Sequence, residues 1–95
     1  MYAVIFRAEI NHLDAAYSDM GARLRELAMK EYGCVEFVSS TENNIEIAIS
    51  YWPSLEAIQA WKNDPEHLKA QEKGKSGWYK SYRVQVAEVL REYGV

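Results

Sequence analysis

The sequence predicts an α+β domain with the element order βαββαβ, in which helices cover one face of a four-stranded antiparallel sheet. Three observations support this prediction. Strand-like runs stand near both ends of the chain, an alternating hairpin lies in the middle, and segments of helical periodicity separate the hairpin from each end. Because 95 residues provide for one hydrophobic core, we expect a single domain over residues 1–95.

The first strand and the first helix are marked by a change of period. Residues 2–9 are rich in β-branched and aromatic side chains and contain no breaker, which is typical of a strand. Asn11 or Asp14 can then cap a helix, because the apolar residues that follow recur at spacings of three and four. These residues are Leu13, Tyr17, Met20, Leu24 and Leu27. Gly33 is expected to end the helix, since glycine readily adopts the left-handed conformation after a last turn.

The central hairpin is predicted over residues 34–41 and 45–51. Both arms alternate, and Asn43 and Asn44 between them tolerate the positive φ values that a tight turn requires. Pro53 then ends the second arm. The chain therefore turns back on itself in the middle of the domain.

The second helical region carries two start signals. Ser54 can cap a short helix with Leu55, Ile58 and Trp61 on one side, and residues 64–66 (Asp-Pro-Glu) form a second helix start. We therefore expect a break near Asn63. Glycines 74 and 77 should end this region, and residues 78–90 are predicted as a long last strand. The complete order is that of the ferredoxin-like fold, with both helices on one sheet face.

Alternation along the strands assigns residues to the two sheet faces. The consistently apolar set is predicted to lie under the helices: Val4, Phe6, Val35, Phe37, Ile45, Ile47, Ile49, Tyr51, Tyr82, Val84 and Val86. The opposite set mixes apolar residues with charges of both signs: Ile5, Arg7, Glu36, Val38, Glu46, Ala48, Ser50, Trp52, Tyr79, Arg83, Gln85 and Val89. Such a face is too apolar for plain exposure, so a homodimer packed through these sheet faces is predicted.

Composition excludes several classes of partner. The net charge of −3 and the pI near 5.3 argue against a nucleic acid or an anionic membrane surface, both of which attract excess Lys and Arg. No apolar run approaches the roughly 20 residues that span a bilayer. The lone Cys34 cannot form an internal disulfide, and it is predicted as a buried thiol in a cytoplasmic protein.

The segment from Trp61 to Gln71 (WKNDPEHLKAQ), followed by Gly74 and Trp78-Tyr79, resembles the antibiotic biosynthesis monooxygenase family of dimeric α+β barrels. The resemblance extends over nearly the whole chain. It implies a homodimer with a pocket between helices and sheet in each subunit. It also implies oxidation of a small aromatic or quinol-type compound by O2 without metal or flavin.

The resemblance and the predicted faces together indicate candidate site residues. Trp61 matches the second-helix tryptophan of the family and could stack on a flat ring, or it could be the largest core residue of its helix. Phe6, Tyr51, Tyr82 and Trp78 are candidates to contact substrate, although each tyrosine could equally be a core residue. His67 is the candidate general base, with an exposed and inert histidine as the alternative.

Arg83 is the candidate for the arginine that family members place on the last strand. Alternation puts Arg83 on the sheet face away from the helices, where it fits a salt bridge to Glu36 or Glu46 of a second copy. A bulge could reverse this assignment. The catalytic role of Arg83 therefore depends on the register of the last strand.

The sequence lacks the residues that haem degradation or metal binding would require. The haem-degrading relatives carry an asparagine on the first strand and a haem-ligating histidine in the second helical region. This chain has Arg7 and Glu9 on the first strand and Gln71 near the expected histidine position, which argues against haem degradation. Two distant histidines and one cysteine supply no set of metal ligands. The alternative to an oxygenase is a non-catalytic dimeric small-molecule-binding or stress-associated protein of the same fold. A cavity lined by Trp61, Tyr51 and Tyr82 would favour the enzyme, and a packed core there would favour the alternative.

Overall fold

The computed structural model describes residues 1–95, and its element order confirms the predicted fold. Four strands and three α-helices alternate as β1 (Tyr2–Ile10), α1 (Ala16–Glu31), β2 (Glu36–Glu42), β3 (Ile45–Trp52), α2 (Leu55–Lys62), α3 (Pro65–Lys73) and β4 (Tyr79–Glu88). The sheet order is β2-β3-β1-β4, with every neighbouring pair antiparallel. The structure is therefore the ferredoxin-like arrangement expected from the sequence.

Local signals place the helix starts. The N-cap of α1 is Ala15, so neither of the predicted caps, Asn11 and Asp14, occupies that position; Asp14 Oδ1 accepts a hydrogen bond from the Ala16 amide at 3.0 Å. Ser54 Oγ accepts from the Ala57 amide at 3.1 Å and caps α2. The cap of α3 is Asp64, whose Oδ1 accepts from the Glu66 amide at 2.8 Å. The predicted break between α2 and α3 is confirmed, since Asn63 ends α2.

The connection into β4 differs from the prediction. Residues Gly74–Trp78 form a π-helical turn, so the last strand begins at Tyr79 rather than at Trp78. A Cβ atom on Gly74 would lie 3.1 Å from the Tyr79 ring, which is tighter than ordinary packing. The absence of a side chain at Gly74 thus lets the turn approach the ring of Tyr79.

The register of β1 with β3 corrects the predicted faces of the hairpin. Val4 lies opposite Ser50 and Phe6 opposite Ala48, and directly opposed residues in an antiparallel pair point to the same side. The even-numbered residues of β3 therefore lie under the helices, namely Glu46, Ala48, Ser50 and Trp52. The predicted helix-facing set of Ile45, Ile47, Ile49 and Tyr51 lies on the other face. The prediction was wrong because both sets of β3 residues contain apolar side chains, so apolarity alone did not select a face.

A bulge corrects the placement of Tyr79. The pairing of β1 with β4 shifts between Glu9 and Ile10, so that Ser81 lies opposite Glu9 and Tyr79 opposite Ile10. The extra residue brings Tyr79 to the helix side together with Tyr82, although three positions separate them. Tyr79 had been predicted on the opposite face. Arg83 stays on that opposite face, as alternation predicted.

The core lies between the sheet and the helices. Its buried members are Val4, Leu27, Ala28, Cys34, Trp52, Ile58 and Trp61. Trp52 has no exposed surface, although it had been predicted on the uncovered face. Cys34 is buried as predicted, and burial raises the pKa of its thiol.

The opposite sheet face is not covered by any element of this chain. It carries Ile5, Ile45, Ile49 and Tyr51, together with Val38 and Ile47, which keep 48% and 41% of their surface exposed. A shallow cleft of about 250 Å³ runs over β2 and β3 on this part of the sheet. No helix in the structure has the length and apolarity needed to cross a membrane.

Candidate functional site

Aromatic side chains fill the layer between helices and sheet in two groups. The first group surrounds Trp61 of α2. Its ring lies 5.1 Å from Trp52, 6.0 Å from Phe37 and 4.3 Å from His67, measured between ring centroids. Its indole nitrogen donates to the Leu24 carbonyl at 3.3 Å. Trp61 is therefore a core residue whose polar atom is satisfied within the chain.

His67 is partly buried against Trp61, at the beginning of α3. The two rings meet edge to face, and the Nδ1 atom of His67 is buried without a hydrogen-bond partner in the chain. Burial lowers the pKa of His67, and the nearby Asp64 carboxylate opposes this shift. His67 is thus neutral at pH 7 and is not the fully exposed histidine of the inert alternative.

The second aromatic group surrounds Tyr79 of β4. Ring centroids lie 5.4 Å away for Phe6, 6.2 Å for Tyr82 and 6.3 Å for Tyr17. Tyr17 also meets Trp78 edge to face at 5.1 Å. Three of the predicted substrate-contacting residues, Phe6, Tyr82 and Trp78, are therefore brought together around Tyr79.

Glu46 is the one acidic residue of β3 on the helix side, opposite Ala8 of β1. Its Oε1 atom is buried and has no hydrogen-bond partner in the chain. Burial raises the pKa of Glu46, and the nearby Tyr79 hydroxyl partly offsets this rise. Burial likewise raises the pKa of Tyr79, and the Glu46 carboxyl group adds to that rise. The pair is a carboxyl group and a phenol removed from water and interacting with each other.

The Tyr79 hydroxyl also approaches α1. It lies 3.4 Å from the Tyr17 hydroxyl, a long contact for two oxygens, and Tyr17 is partly exposed. The two hydroxyls thus connect β4 to the partly exposed side of α1.

Three buried side-chain atoms in the chain lack a hydrogen-bond partner, and all three lie on the helix-covered side of the sheet. They are Glu46 Oε1, His67 Nδ1 and Trp78 Nε1. Leaving a buried polar atom unpaired costs about 1–3 kcal/mol, and most buried polar groups in proteins are paired. One acceptor, one donor and one nitrogen of the imidazole are therefore left without a partner inside the chain.

Two predicted site residues lie away from this layer. Tyr51 is on the uncovered sheet face, where it pairs with Ala3 and Glu36, so it cannot contact a molecule under the helices. Arg83 lies directly opposite Arg7 on the same uncovered face and is exposed. Trp61 and Tyr82 belong to different aromatic groups. The predicted cavity bounded by Trp61, Tyr51 and Tyr82 is consequently not formed.

Glu46, Tyr79 and Tyr17 were missed as site residues. An acidic residue within the otherwise apolar run IEIAIS was a visible signal, but its assignment to the wrong sheet face concealed it. A cleft of about 410 Å³ lies elsewhere, between α1 and α3, and its lining includes Arg23 and Glu66. No three His, Cys, Asp or Glu side chains come together in a way that could hold a metal ion.

Comparison with known proteins identifies a sequence relative of this chain and solved structures that share its fold. The chain is 40% identical over 92 residues to YqjZ of Bacillus subtilis, an uncharacterised protein, and the match covers 96% of this chain and 81% of YqjZ. No protein-family model matches the sequence.

Solved structures share the architecture at low sequence identity. SnoaB, a cofactor-independent oxygenase from Streptomyces nogalater, superposes with a TM-score of 0.78 at 14% identity, covering 96% of this chain and 94% of SnoaB. Rv0793 from Mycobacterium tuberculosis gives 0.80 at 18% identity and 98% coverage of both chains. A provisionally assigned antibiotic biosynthesis monooxygenase from Nitrosomonas europaea gives 0.78 at 13% identity, covering 98% of this chain and 93% of its own.

Proposed function

Because this chain belongs to the family of Bacillus subtilis YqjZ and has the fold of the antibiotic biosynthesis monooxygenases, we propose that it is a cofactor-independent monooxygenase. The proposed substrate is a small phenol or quinol that is oxidised by O2. SnoaB, which shares the fold, is described as a cofactor-independent oxygenase, and this likeness motivates the reaction class.

The observation that carries the proposal is the set of three unpaired polar atoms beside aromatic rings under the helices. Glu46 Oε1 and Trp78 Nε1 belong to side chains around the Tyr17–Tyr79 pair, and His67 Nδ1 lies against Trp61. A flat molecule whose hydroxyl group can both donate and accept a hydrogen bond would pair such atoms while its ring contacts the aromatic side chains. A phenol has this combination of a planar ring and an acidic hydroxyl.

The reaction needs little from the protein beyond proton transfer and exclusion of water. A phenol with a free position para to its hydroxyl loses the O–H and ring C–H hydrogens and gains a carbonyl oxygen, giving a quinone. One atom of O2 becomes that carbonyl oxygen, and the other leaves as water with the two hydrogens. All four electrons that reduce O2 come from the substrate. The protein favours the reaction by accepting the phenol proton, since the phenolate is the electron-rich form.

In this proposal His67 is the general base. Its imidazole is neutral at pH 7, because burial lowers its pKa, and Nδ1 is unpaired. Phe6, Tyr82 and Trp78 contact the substrate ring. Trp61 packs against the His67 imidazole and holds its orientation. Tyr51 and Arg83 have no part under the helices, because they lie across the sheet.

Packing around Trp61 favours a second candidate, a non-catalytic dimer that binds a small aromatic molecule. Only 7% of Trp61 is exposed, and its N–H is already bonded to the Leu24 carbonyl, so this ring is not available for stacking. In this alternative the same unpaired atoms bind a ligand without turnover. Ligand binding without oxygen consumption would distinguish it from the enzyme.

In both candidates we propose that the uncovered sheet face packs on the same face of a second copy. This face carries Ile47 and Ile49 on β3, and Glu36 on β2 and Arg83 on β4 lie on it as well, so that apolar contact and ion pairing between copies are both possible. Glu46, the other predicted partner of Arg83, lies on the helix side and is excluded from this role.

Oxygen uptake tests the proposed reaction. A panel of phenols, catechols and 1-naphthols, each with a free position para to a hydroxyl group, is added to the protein in an oxygen electrode, with quinone formation followed by absorbance. We expect protein-dependent uptake of one O2 per quinone formed, reduced about 100-fold or more in His67→Gln and unchanged in His12→Gln, whose histidine is exposed in a loop. If no compound consumes oxygen while some quench the tryptophan fluorescence, the non-catalytic candidate replaces the enzyme.

A further inference from the structure

Two hydrogen bonds tie α1 to the short segment that carries His67. Tyr32, at the end of α1, donates to Asp64 Oδ2 at 2.6 Å. The Trp61 indole of α2 donates to the Leu24 carbonyl of α1 at 3.3 Å. We propose that Tyr32 is a positioning residue, which places the His67 imidazole by holding Asp64. This inference rests on the proposed function, because it concerns the orientation of the proposed general base.

The backbone around Tyr32 is itself held on the core. The Tyr32 amide donates to the Leu27 carbonyl at 3.2 Å, and two residues later the chain is bonded back to α1 again. This second bond joins the Cys34 amide to the Ala28 carbonyl at 2.9 Å. Leu27, Ala28 and Cys34 are buried, and the Tyr32 side chain packs against the same cluster. The Tyr32 hydroxyl therefore holds Asp64 from a well-packed part of the chain.

Asp64 passes this position to His67 through the first turn of α3. Its Oδ1 accepts from the Glu66 amide at 2.8 Å, and its carbonyl oxygen accepts from the Leu68 amide at 2.9 Å. These two bonds fix the backbone on both sides of His67. Since Tyr32 uses the other carboxylate oxygen, loss of the tyrosine hydroxyl would leave the cap in place and release the turn from α1.

The imidazole of His67 depends on this support. Its Nδ1 atom has no hydrogen-bond partner in the chain, and its ring packs against Trp61 with 4.3 Å between centroids. The other link between α1 and α3 is the ion pair of Arg23 with Glu66 at 3.0 Å, in which 49% and 46% of the side-chain surfaces are exposed. Because such exposed pairs contribute little, the bond from Tyr32 is the link that can hold the turn.

NMR tests the positioning without any substrate. The ring current of Trp61 shifts the His67 ring protons, so their resonances report how the two rings are placed. In Tyr32→Phe these resonances should move toward those of the exposed His12. The His67 titration midpoint should rise toward its ordinary 6.5, because burial, which lowers this pKa most, is then relieved. The charged groups acting on His67 are Asp64 and Lys62, and both remain in this variant.

Two variants serve as controls. Tyr2→Phe removes a tyrosine hydroxyl beside the same core, and Arg23→Gln breaks the exposed ion pair between the same two helices. Both should leave the His67 resonances and midpoint unchanged. Unchanged His67 resonances in Tyr32→Phe, or an equal displacement in either control, would overturn the positioning role whatever the activity of the protein.

Turnover is the second arm. With a phenol that the wild-type protein oxidises, Tyr32→Phe should lower kcat about ten-fold or more with little change in KM, because the base is displaced while the contacts to the substrate ring are kept. Tyr2→Phe should retain kcat within about two-fold. Full kcat in Tyr32→Phe would overturn the positioning role. Absence of turnover in the wild-type protein, together with displaced His67 resonances in Tyr32→Phe, would reject the proposed function while supporting the positioning of His67.

Discussion

The Tyr32 hydroxyl donates a hydrogen bond to Asp64 Oδ2 at 2.6 Å, which joins the residue that ends α1 to the residue that caps α3. Asp64 Oδ1 meanwhile accepts from the Glu66 amide. One carboxylate therefore anchors the start of α3 to α1, and His67 follows three positions later. The hydrogen bond from Tyr32 lowers the pKa of Asp64.

Replacing Tyr32 by Phe should lower the melting temperature at pH 7. A carboxyl group with a lowered pKa contributes stability above its ordinary value of 3.8 and loses it as pH falls through the folded value. The difference between wild type and Tyr32→Phe should therefore shrink below about pH 4. Thermal unfolding followed by circular dichroism at several pH values measures this difference in melting temperature. Tyr2→Phe is the control, because Tyr2 packs against the same core; a similar loss in that variant would argue against the Asp64 bond.

His67 should make the protein less stable in mild acid. Burial lowers its pKa in the folded state below the ordinary 6.5, so unfolding is favoured as pH falls through 6.5, where the unfolded chain takes up a proton. His67→Gln should lose less stability than wild type between pH 8 and pH 5. Urea midpoints at the two pH values decide this, with His12→Gln expected to behave as wild type. An equal loss in His67→Gln would show that another group controls the pH dependence.

Leu27→Ala should destabilise the fold by about 2–5 kcal/mol, since it leaves a cavity in the core. Leu27 keeps 6% of its surface exposed, whereas Leu68 on α3 keeps 48%. Leu68→Ala should therefore change the free energy of unfolding by no more than about 0.5 kcal/mol. Urea denaturation of both variants tests the assignment of the covered helix surface, which would be incorrect if the two costs were equal.

Ile47→Glu should separate the proposed dimer, because it places a charge in the middle of the uncovered sheet face. Light scattering after gel filtration should give twice the 11.0 kDa chain mass for wild type at micromolar concentration and one chain mass for the variant. Leu68→Glu, on the helix side, should remain dimeric. A monomeric wild-type protein under these conditions would exclude the proposed packing.

Much of the fold can be predicted from the sequence, because the signals that begin helices and form turns act between neighbouring residues. Caps at Ser54 and Asp64, the proline after Asp64 and the two asparagines of the hairpin each act within a few residues. Asn43 and Asn44 have φ values of 51° and 64°, as their turn requires. Element order and the break between α2 and α3 could therefore be predicted from residues that are neighbours in the chain.

The composition of the site depends on contacts between strands that are far apart in the sequence, and such contacts become visible in the folded structure alone. Alternation shows that Glu46 and Trp52 share one face of β3, but pairing of Val4 with Ser50 determines that this face lies under the helices. A bulge beside Glu9 brings Tyr79 to the side of the sheet on which Glu46 lies, and no local pattern marks that bulge. Because side chains alternate with a period of two, one register or one bulge moves a residue from one sheet face to the other. Local sequence signals are thus enough to locate the helices and strands, whereas the pairing of the strands decides which polar groups lie between the sheet and the helices.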